Sequence, residues 1–576
     1  MYFDFLVRIP DVPGKIVRKR IKETVYIDYE YDRSYDAVRK FNIPKRTTIG
    51  KQSGDNASMM YPNQNYLRYF PDVELPQEKA GFERSSCLRI GPYLVIRKII
   101  ADYGLEEMIG RLFGKDGGFL FDLAAYSIIC ENNAGQYYPD YAFNHPLLTE
   151  GMRVYSDSKV SSFLSSITDD HTSSFLNGWN CKRNHRERIY ISYDSTNKNC
   201  QSGDISIVEF GHAKEEKGLP VFNYAIAYDK TNREPLFYEE YPGSIVDVSQ
   251  LQFMLEKARA YGYRNVGFIL DRGYFSKGNI EYMDNCGYDF VIMVKGMASL
   301  VSNLVTENKG SFESNRDCSI RSHKVYAKTV GTRLYASDKQ DRYFHIYYSS
   351  AKDSAEKEEV ETKVDRMAKL ISTYERKQAT FPLSFHDYFD LVYDEKKNLF
   401  LFGKERADVI ERELSLCGYF VIVTSAKMSA KEALDLYKSR DQSEKLFRGD
   451  KSYLGNRSIR VCSDESVSGK IFIEFIALII RNRMYCQLKD AMEEYVAKPN
   501  YMTVPAAVKE LEKIEMIRQM DGIYRLDHAV TARQKNLLKA FGLDANHVRE
   551  KAVDLGKTLV KTKPDTTTGE EEYGTD

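Results

Sequence analysis

The run Val266-Gly-Phe-Ile-Leu270 carries no polar side chain on either of the two faces between which a strand alternates, so as a strand it must be covered on both. A sheet with helices on its two sides provides that cover. The flanking sequence agrees: β-rich runs at 188–194, 221–228 and 235–241 precede it, with an amphipathic stretch around 248–261. A helical stretch near 277–286 and a further strand at 288–294 follow. Three strands, a helix, a strand, a helix and a strand predict an α/β fold, a mixed sheet flanked by helices.

A chain of 576 residues holds several units of domain size. Its 83 basic and 83 acidic side chains cancel, which excludes a polycation and leaves any grip on phosphates to a local basic face. The best apolar stretch, 471–480, is too short for a membrane span and contains Glu474, so no membrane partner is expected. The first residues lack a basic segment followed by an apolar one, which predicts no secretory signal and a cytoplasmic protein. Nine cysteines stand singly, with no CxxC pair and no Cys/His ladder, a pattern that suits reduced thiols and argues against zinc.

Along the chain, residues 1–80 form a basic N-terminal region that ends in a polar stretch, 50–63, read as a linker. This region is a candidate DNA-contacting arm; the alternation at 23–31 equally suits a solvated, strand-rich end segment. Helical spacing at Leu94, Ile96, Ile99, Ile100 and Tyr103 predicts a helical N-terminal domain over 81–185. The α/β core begins at 186–296 and is interrupted by a β-rich insertion subdomain, 297–426, wrapped around a charge-dense helix at 351–377. It resumes at 427–495, where Ile471, Phe472, Phe475, Leu478 and Ile479 are expected to pack on the sheet. Residues 496–576 predict a helical C-terminal region and a disordered acidic tail.

Three acids carry the chemical signal. Alternation in Arg188-Ile-Tyr-Ile-Ser-Tyr-Asp194 sets Asp194 on the face opposite Ile189, Ile191 and Tyr193 as the strand ends. Asp271 terminates the doubly apolar run, at the sheet rim where α/β folds bind ligands, and Gly273 permits a sharp turn there. Glu444 shares a helical arc of about 80 degrees with Tyr437, Arg440, Phe447 and Lys451. From Tyr437 to Arg460 there are seven basic residues, Arg448 among them, against three acids, so phosphates can be held near this glutamate. Gly449 weakens the helix and threatens the place of Lys451 on that arc.

Asp194 after a strand, Asp271 in Asp-Arg-Gly-Tyr-Phe, and Tyr437-x2-Arg440-x3-Glu444-x6-Lys451 together resemble the DDE transposases of bacterial insertion sequences, in the subgroup with the Tyr-Arg-Glu-Lys signature. The resemblance covers 188–488 well and the preceding helical region more loosely. It implies an RNase H-like catalytic core with a β insertion before the glutamate, and end-DNA binding by the helical domain.

Three carboxylates converging at about 4 Å would repel by roughly 4 kcal/mol per pair at an effective dielectric of 20. Hard divalent cations relieve that conflict, and the resemblance implies two Mg2+ (or Mn2+), with Asp194 bridging them and Asp271 and Glu444 each completing one shell. It further implies that Arg440 and Lys451 hold phosphates near the cleaved end and that Tyr437 contacts the DNA there. Arg272 and Arg448 join this DNA-binding set by their position beside the acids. The implied partners are double-stranded DNA, as terminal inverted repeats and as target, and a second copy of the chain in the DNA complex; the implied place is the prokaryotic nucleoid. Some relatives lodge a flipped base on aromatics, for which Tyr274 and Phe275 are candidates, because the single Trp179 lies before the core. Competing readings are an RNase H-like nuclease without strand transfer and an inactive, domesticated DNA-binding protein.

Overall fold

The computed structural model describes the chain except residues 1–5, 22–23, 37–39, 55, 72–83, 184–186, 201–204, 212–217, 246, 295–297, 339, 395–398, 456–457, 462, 494–501, 521 and 562–576. The acidic tail expected at the C-terminus falls outside the described residues. Two compact units emerge: Met1–Phe175 with Ser202–Ile205 and Asp450–Asp576, and Leu176–Gln201 with Ser206–Gly449.

In the first unit, strands β1 (Val7–Arg8), β2 (Ile16–Ile21), β3 (Thr24–Asp36), β4 (Phe41–Gln52) and β5 (Met59–Pro62) form an antiparallel sheet in the order β1-β5-β4-β3-β2. Val7, Ile27, Ile49, Met60 and Tyr66 make its core. The stretch 50–63 expected as a linker is therefore part of this sheet: it ends β4 and contains β5, because Met60 is fully buried and pins the segment down. Arg18, Lys19 and Arg20 stand exposed on the edge strand β2.

Strand β6 (Cys87–Arg89) pairs with Glu515–Arg518 near the C-terminus. Between these come the helices Gly91–Asp102, Leu105–Phe113, Gly117–Cys130, Tyr138–Asn144 and Asp157–Ser166. The 30-residue helix Asp464–Glu493 is buried around its whole circumference over 471–480, Glu474 included, and so is covered on every side. It packs on Gly117–Cys130 and Asp157–Ser166, so Ile471, Phe472, Phe475, Leu478 and Ile479 are buried in the helical unit, where a place on the sheet was expected. Gly469 makes this approach possible: a Cβ there would lie 2.1 Å from the Leu164 carbonyl oxygen. Among the described residues, no helix is long and apolar enough to cross a membrane.

The second unit is built on a nine-stranded mixed sheet. Its strands are β7 (Ile189–Asn199), β8 (Val221–Asp229), β9 (Glu234–Pro242), β10 (Val266–Leu270), β11 (Asp289–Met293), β12 (Ser319–Ile320), β13 (Val325–Thr332), β14 (Arg342–Tyr348) and β17 (Tyr419–Thr424); β15 (Phe389–Asp394) and β16 (Leu399–Glu405) form a separate hairpin. The order is β12-β13-β14-β17-β11-β10-β7-β8-β9. β7, β8 and β9 run antiparallel, whereas β10 is parallel to both β7 and β11. Helices Asp247–Ala260 and Lys277–Cys286 make the connections on either side of β10, whose five residues are all buried.

The segment 297–426, expected as a β-rich insertion, is divided. β12, β13, β14 and β17 extend the main sheet beyond β11, since Phe344 and Ile346 on β14 and Val421, Ile422 and Val423 on β17 are buried. The residues between β14 and β17 make an excursion of their own: helix Ser350–Thr373, the β15–β16 hairpin and helix Ala407–Leu416 around a core that includes Val360, Ile371, Phe389, Phe400 and Ile410.

Candidate active site

Two aspartates meet because two parallel strands share a register. Leu270 of β10 pairs with Tyr193 of β7, so Asp271 and Asp194 are the next positions on strands about 4.8 Å apart, and in a parallel pair in register they share one side. Asp194 does not end its strand, as the sequence suggested: β7 continues to Asn199 and pairs Asp194 with Ile226 of β8. The carboxylate is partly exposed because β10 stops beside it. Its Oδ1 accepts the Ser195 backbone N–H at 2.9 Å.

Asp271 caps the short 3-10 turn Arg272–Tyr274, accepting the Arg272 N–H at 2.7 Å. Gly273 sits in this ordinary turn with open space about it, so the turn does not demand glycine. Arg272 is exposed beside the acid. Tyr274 is buried against Tyr193, with ring centroids 5.5 Å apart, which closes it to a stacking base; Phe275 is half-buried.

The signature segment arrives on two short helices. Ser429 and Glu432 form a capping box, each bonding the other's backbone N–H, which starts the helix Ala430–Lys438. Leu434 and Leu436 pack into the cluster of Ile269, Val291 and Ile422, with Tyr437 against it. The backbone turns at Ser439 and Arg440, and Asp441–Arg448 forms the second helix, where one helix was expected.

The Tyr437 hydroxyl reaches the Asp271 carboxylate at 3.5 Å, and burial pushes its pKa up to about 12. Arg440 is only 18% exposed. It forms an ion pair with Asp271 through one terminal nitrogen and with Glu444 through the other, the latter at 2.8 Å. Its guanidinium also lies 5.5 Å from the Tyr437 ring. Burial works against this cation, but Tyr437, Asp271, Asp194 and Glu444 together raise its pKa above the ordinary arginine value. Glu444 remains half in solvent.

The structure thus brings Asp194, Asp271, Tyr437, Arg440 and Glu444 into one neighbourhood, with a guanidinium between two of the acids. Among the described residues, no three Asp, Glu, His or Cys side chains stand close enough to hold a metal ion together. Lys451 does not extend the arc. The helix passes at Gly449 into a single π-helical turn, Gly449–Tyr453, which breaks the 100-degree progression. Lys451 belongs to the other unit and is buried. The side chain of Arg448 lies outside what the structure describes. The pairing of Arg440 with acids was missed at the sequence level, although its i, i+4 spacing to Glu444 was a readable signal.

The chain resembles the piggyBac transposase in a cryo-EM structure of its synaptic complex with hairpin DNA; the TM-score is 0.36 at 8% identity, over 84% of this chain and 88% of that one. No curated protein matches it. Residues 191–480, which run from β7 through both signature helices, match the family model described as the transposase DDE domain. That match takes in half of the sequence together with all three acids, and the chain belongs to the transposase DDE domain family.

Proposed function

We propose that this transposase serves a bacterial insertion sequence, within the Tyr-Arg-Glu-Lys subgroup. It binds the terminal inverted repeats of its element and carries out strand cleavage and strand transfer at Asp194, Asp271 and Glu444. The observation that carries the reading is the register that sets Asp194 beside Asp271 at the end of β10, with Glu444 joined to Asp271 through Arg440. An RNase H-like core is supported by the order β9-β8-β7-β10-β11, antiparallel through β7 and parallel after it.

The donor set suits a hard divalent cation: it is all carboxylate oxygen, and two of the acids are strand neighbours. Asp194 and Asp271 would hold Mg2+ or Mn2+ (two ions in the full site), with Glu444 as the third residue that would hold them, were it released from Arg440. Such cations neutralise a phosphodiester and favour attack by water or a 3'-hydroxyl. The chain's own groups do the rest. Tyr437 orients Asp271, Arg272 stands exposed for backbone phosphates, and the exposed cations of β2 offer a second contact to DNA, with two copies of the chain joining paired ends.

The test is incubation of the protein with Mg2+, a duplex bearing the element's terminal repeat and a target plasmid. Replacing Asp194, Asp271 or Glu444 by Ala should abolish cleavage and joining, well beyond the roughly 10- to 100-fold cost of losing an outer-shell partner. End binding should persist. Full cleavage by any one variant would remove that residue from the site, and cleaved but never joined products would identify a nuclease.

A further inference from the structure

Arg440 was expected to hold a DNA phosphate, yet its terminal nitrogens are engaged by two different carboxylates, those of Asp271 and Glu444, and the charge of Asp194 acts on it as well. One largely buried monocation faces three acids that would otherwise repel one another. A guanidinium cannot leave such a site by losing its proton, as a lysine can; it must be displaced bodily. The agent able to displace it is a divalent cation, with twice the charge and a preference for the same oxygens. The N–H groups thereby released are donors in the fork geometry that matches a phosphate.

We propose that Arg440 is the internal counter-ion of the metal-free site: it occupies Asp271 and Glu444 until a divalent cation takes them, and its release frees the guanidinium for a phosphate of DNA. Metal loading and grip on DNA are thus linked through one side chain. Arg440 and the metal compete, so by reciprocity whatever weakens the hold of the arginine tightens the metal. Tyr437, whose ring lies 5.5 Å from the guanidinium, helps keep the cation in its resting place. The inference rests on the reading of these three acids as metal ligands.

The experiment measures Mn2+ affinity by electron paramagnetic resonance on full-length protein without DNA, so no turnover is involved. Arg440→Gln should bind Mn2+ more tightly than the parent by about fivefold or more, the lower end of ordinary coupling between linked sites. Arg440→Lys, which keeps the charge, should stay nearer the parent. If the Gln variant does not fold, Arg440→Met, which replaces the arginine's unbranched stem and carries no charge, should show the same gain. Asp271→Asn should weaken binding sharply. Unchanged or weaker Mn2+ binding in both neutral variants, with Asp271→Asn still defective, would overturn the counter-ion role and leave the metal site standing. An Asp271→Asn protein that binds Mn2+ like the parent would overturn the underlying site and this inference with it.

Discussion

Strand β10 carries Asp271 to its place, and Gly267 within it offers a sharp test of how the sheet is packed. A Cβ at Gly267 would lie 2.6 and 2.7 Å from two ring carbons of Tyr190, its registered neighbour on β7. Carbon atoms in contact prefer about 3.5 to 4.0 Å, so the ring must withdraw by close to 1 Å or the strands must part. Overpacking of this kind costs about 1–3 kcal/mol, against which alanine recovers about 0.5–1 kcal/mol over glycine in a strand. Gly267→Ala should therefore destabilise β10 by up to about 2.5 kcal/mol, and by about 1 kcal/mol at the middle of these ranges. In a Tyr190→Ala background the clash is gone, and the same change should be neutral or slightly stabilising. The two sites should then couple by at least about 1 kcal/mol. Hydrogen exchange on peptides spanning Val266–Leu270 reads the local stability, which suits a chain of two units better than a single unfolding curve. Terminal-repeat cleavage should fall in the single variant and recover in the double one, if displacement of Asp271 is the cause. An equal cost of Gly267→Ala in both backgrounds would refute the packing argument.

Other outcomes follow from the same structure. His345 is buried on β14 between Thr329 and Thr424, and burial pushes its pKa down to about 4. An unfolded imidazole titrates near 6.5, so its contribution is full above that pH and is lost as the pH falls from 6.5 through 4, by up to roughly 3 kcal/mol. His345→Gln should lose less stability than the parent between pH 7.5 and 4.5 in denaturant titrations; an equal loss would assign the acid sensitivity elsewhere. Gly469→Ala should cost at least about 2 kcal/mol, because the new methyl meets a backbone carbonyl that cannot rotate away; unaltered exchange protection of the helix Asp464–Glu493 would contradict this. Reversing the charges of Lys19 and Arg20 on β2 should weaken end binding and flatten its salt dependence by about one unit of log–log slope for each DNA phosphate no longer neutralised. An unchanged slope would exclude that strand from the DNA surface.

Much of the second unit is legible in the sequence alone. The doubly apolar run at Val266–Leu270 is a buried central strand, and the runs beginning near 188, 221 and 235 are β7, β8 and β9. Each announces itself through local alternation or through its lack. The long helix after residue 464 was equally plain, but the surface it covers was not, since its run over 471–480, apolar but for Glu474, carries almost no direction in its pattern. The place of Lys451 departs from the helical arc where Gly449 had threatened it. A projection at 100 degrees per residue assumes unbroken α-helix, and the chain instead turns at Ser439 and Arg440 and widens into a π turn at Gly449.

By itself, then, the order of residues determined the central strands of the second unit and the long helix after residue 464, and it marked Asp194, Asp271 and Glu444 as acids at the ends of apolar runs or among cations. These are short-range properties, set by side-chain alternation, capping and local charge. Tertiary structure alone decided that β10 stops beside Asp194, that β12, β13, β14 and β17 widen the sheet, and that Arg440 lies between Asp271 and Glu444. Those outcomes depend on register and packing between residues far apart in the chain, where the energy of one contact is settled by partners that no local pattern names.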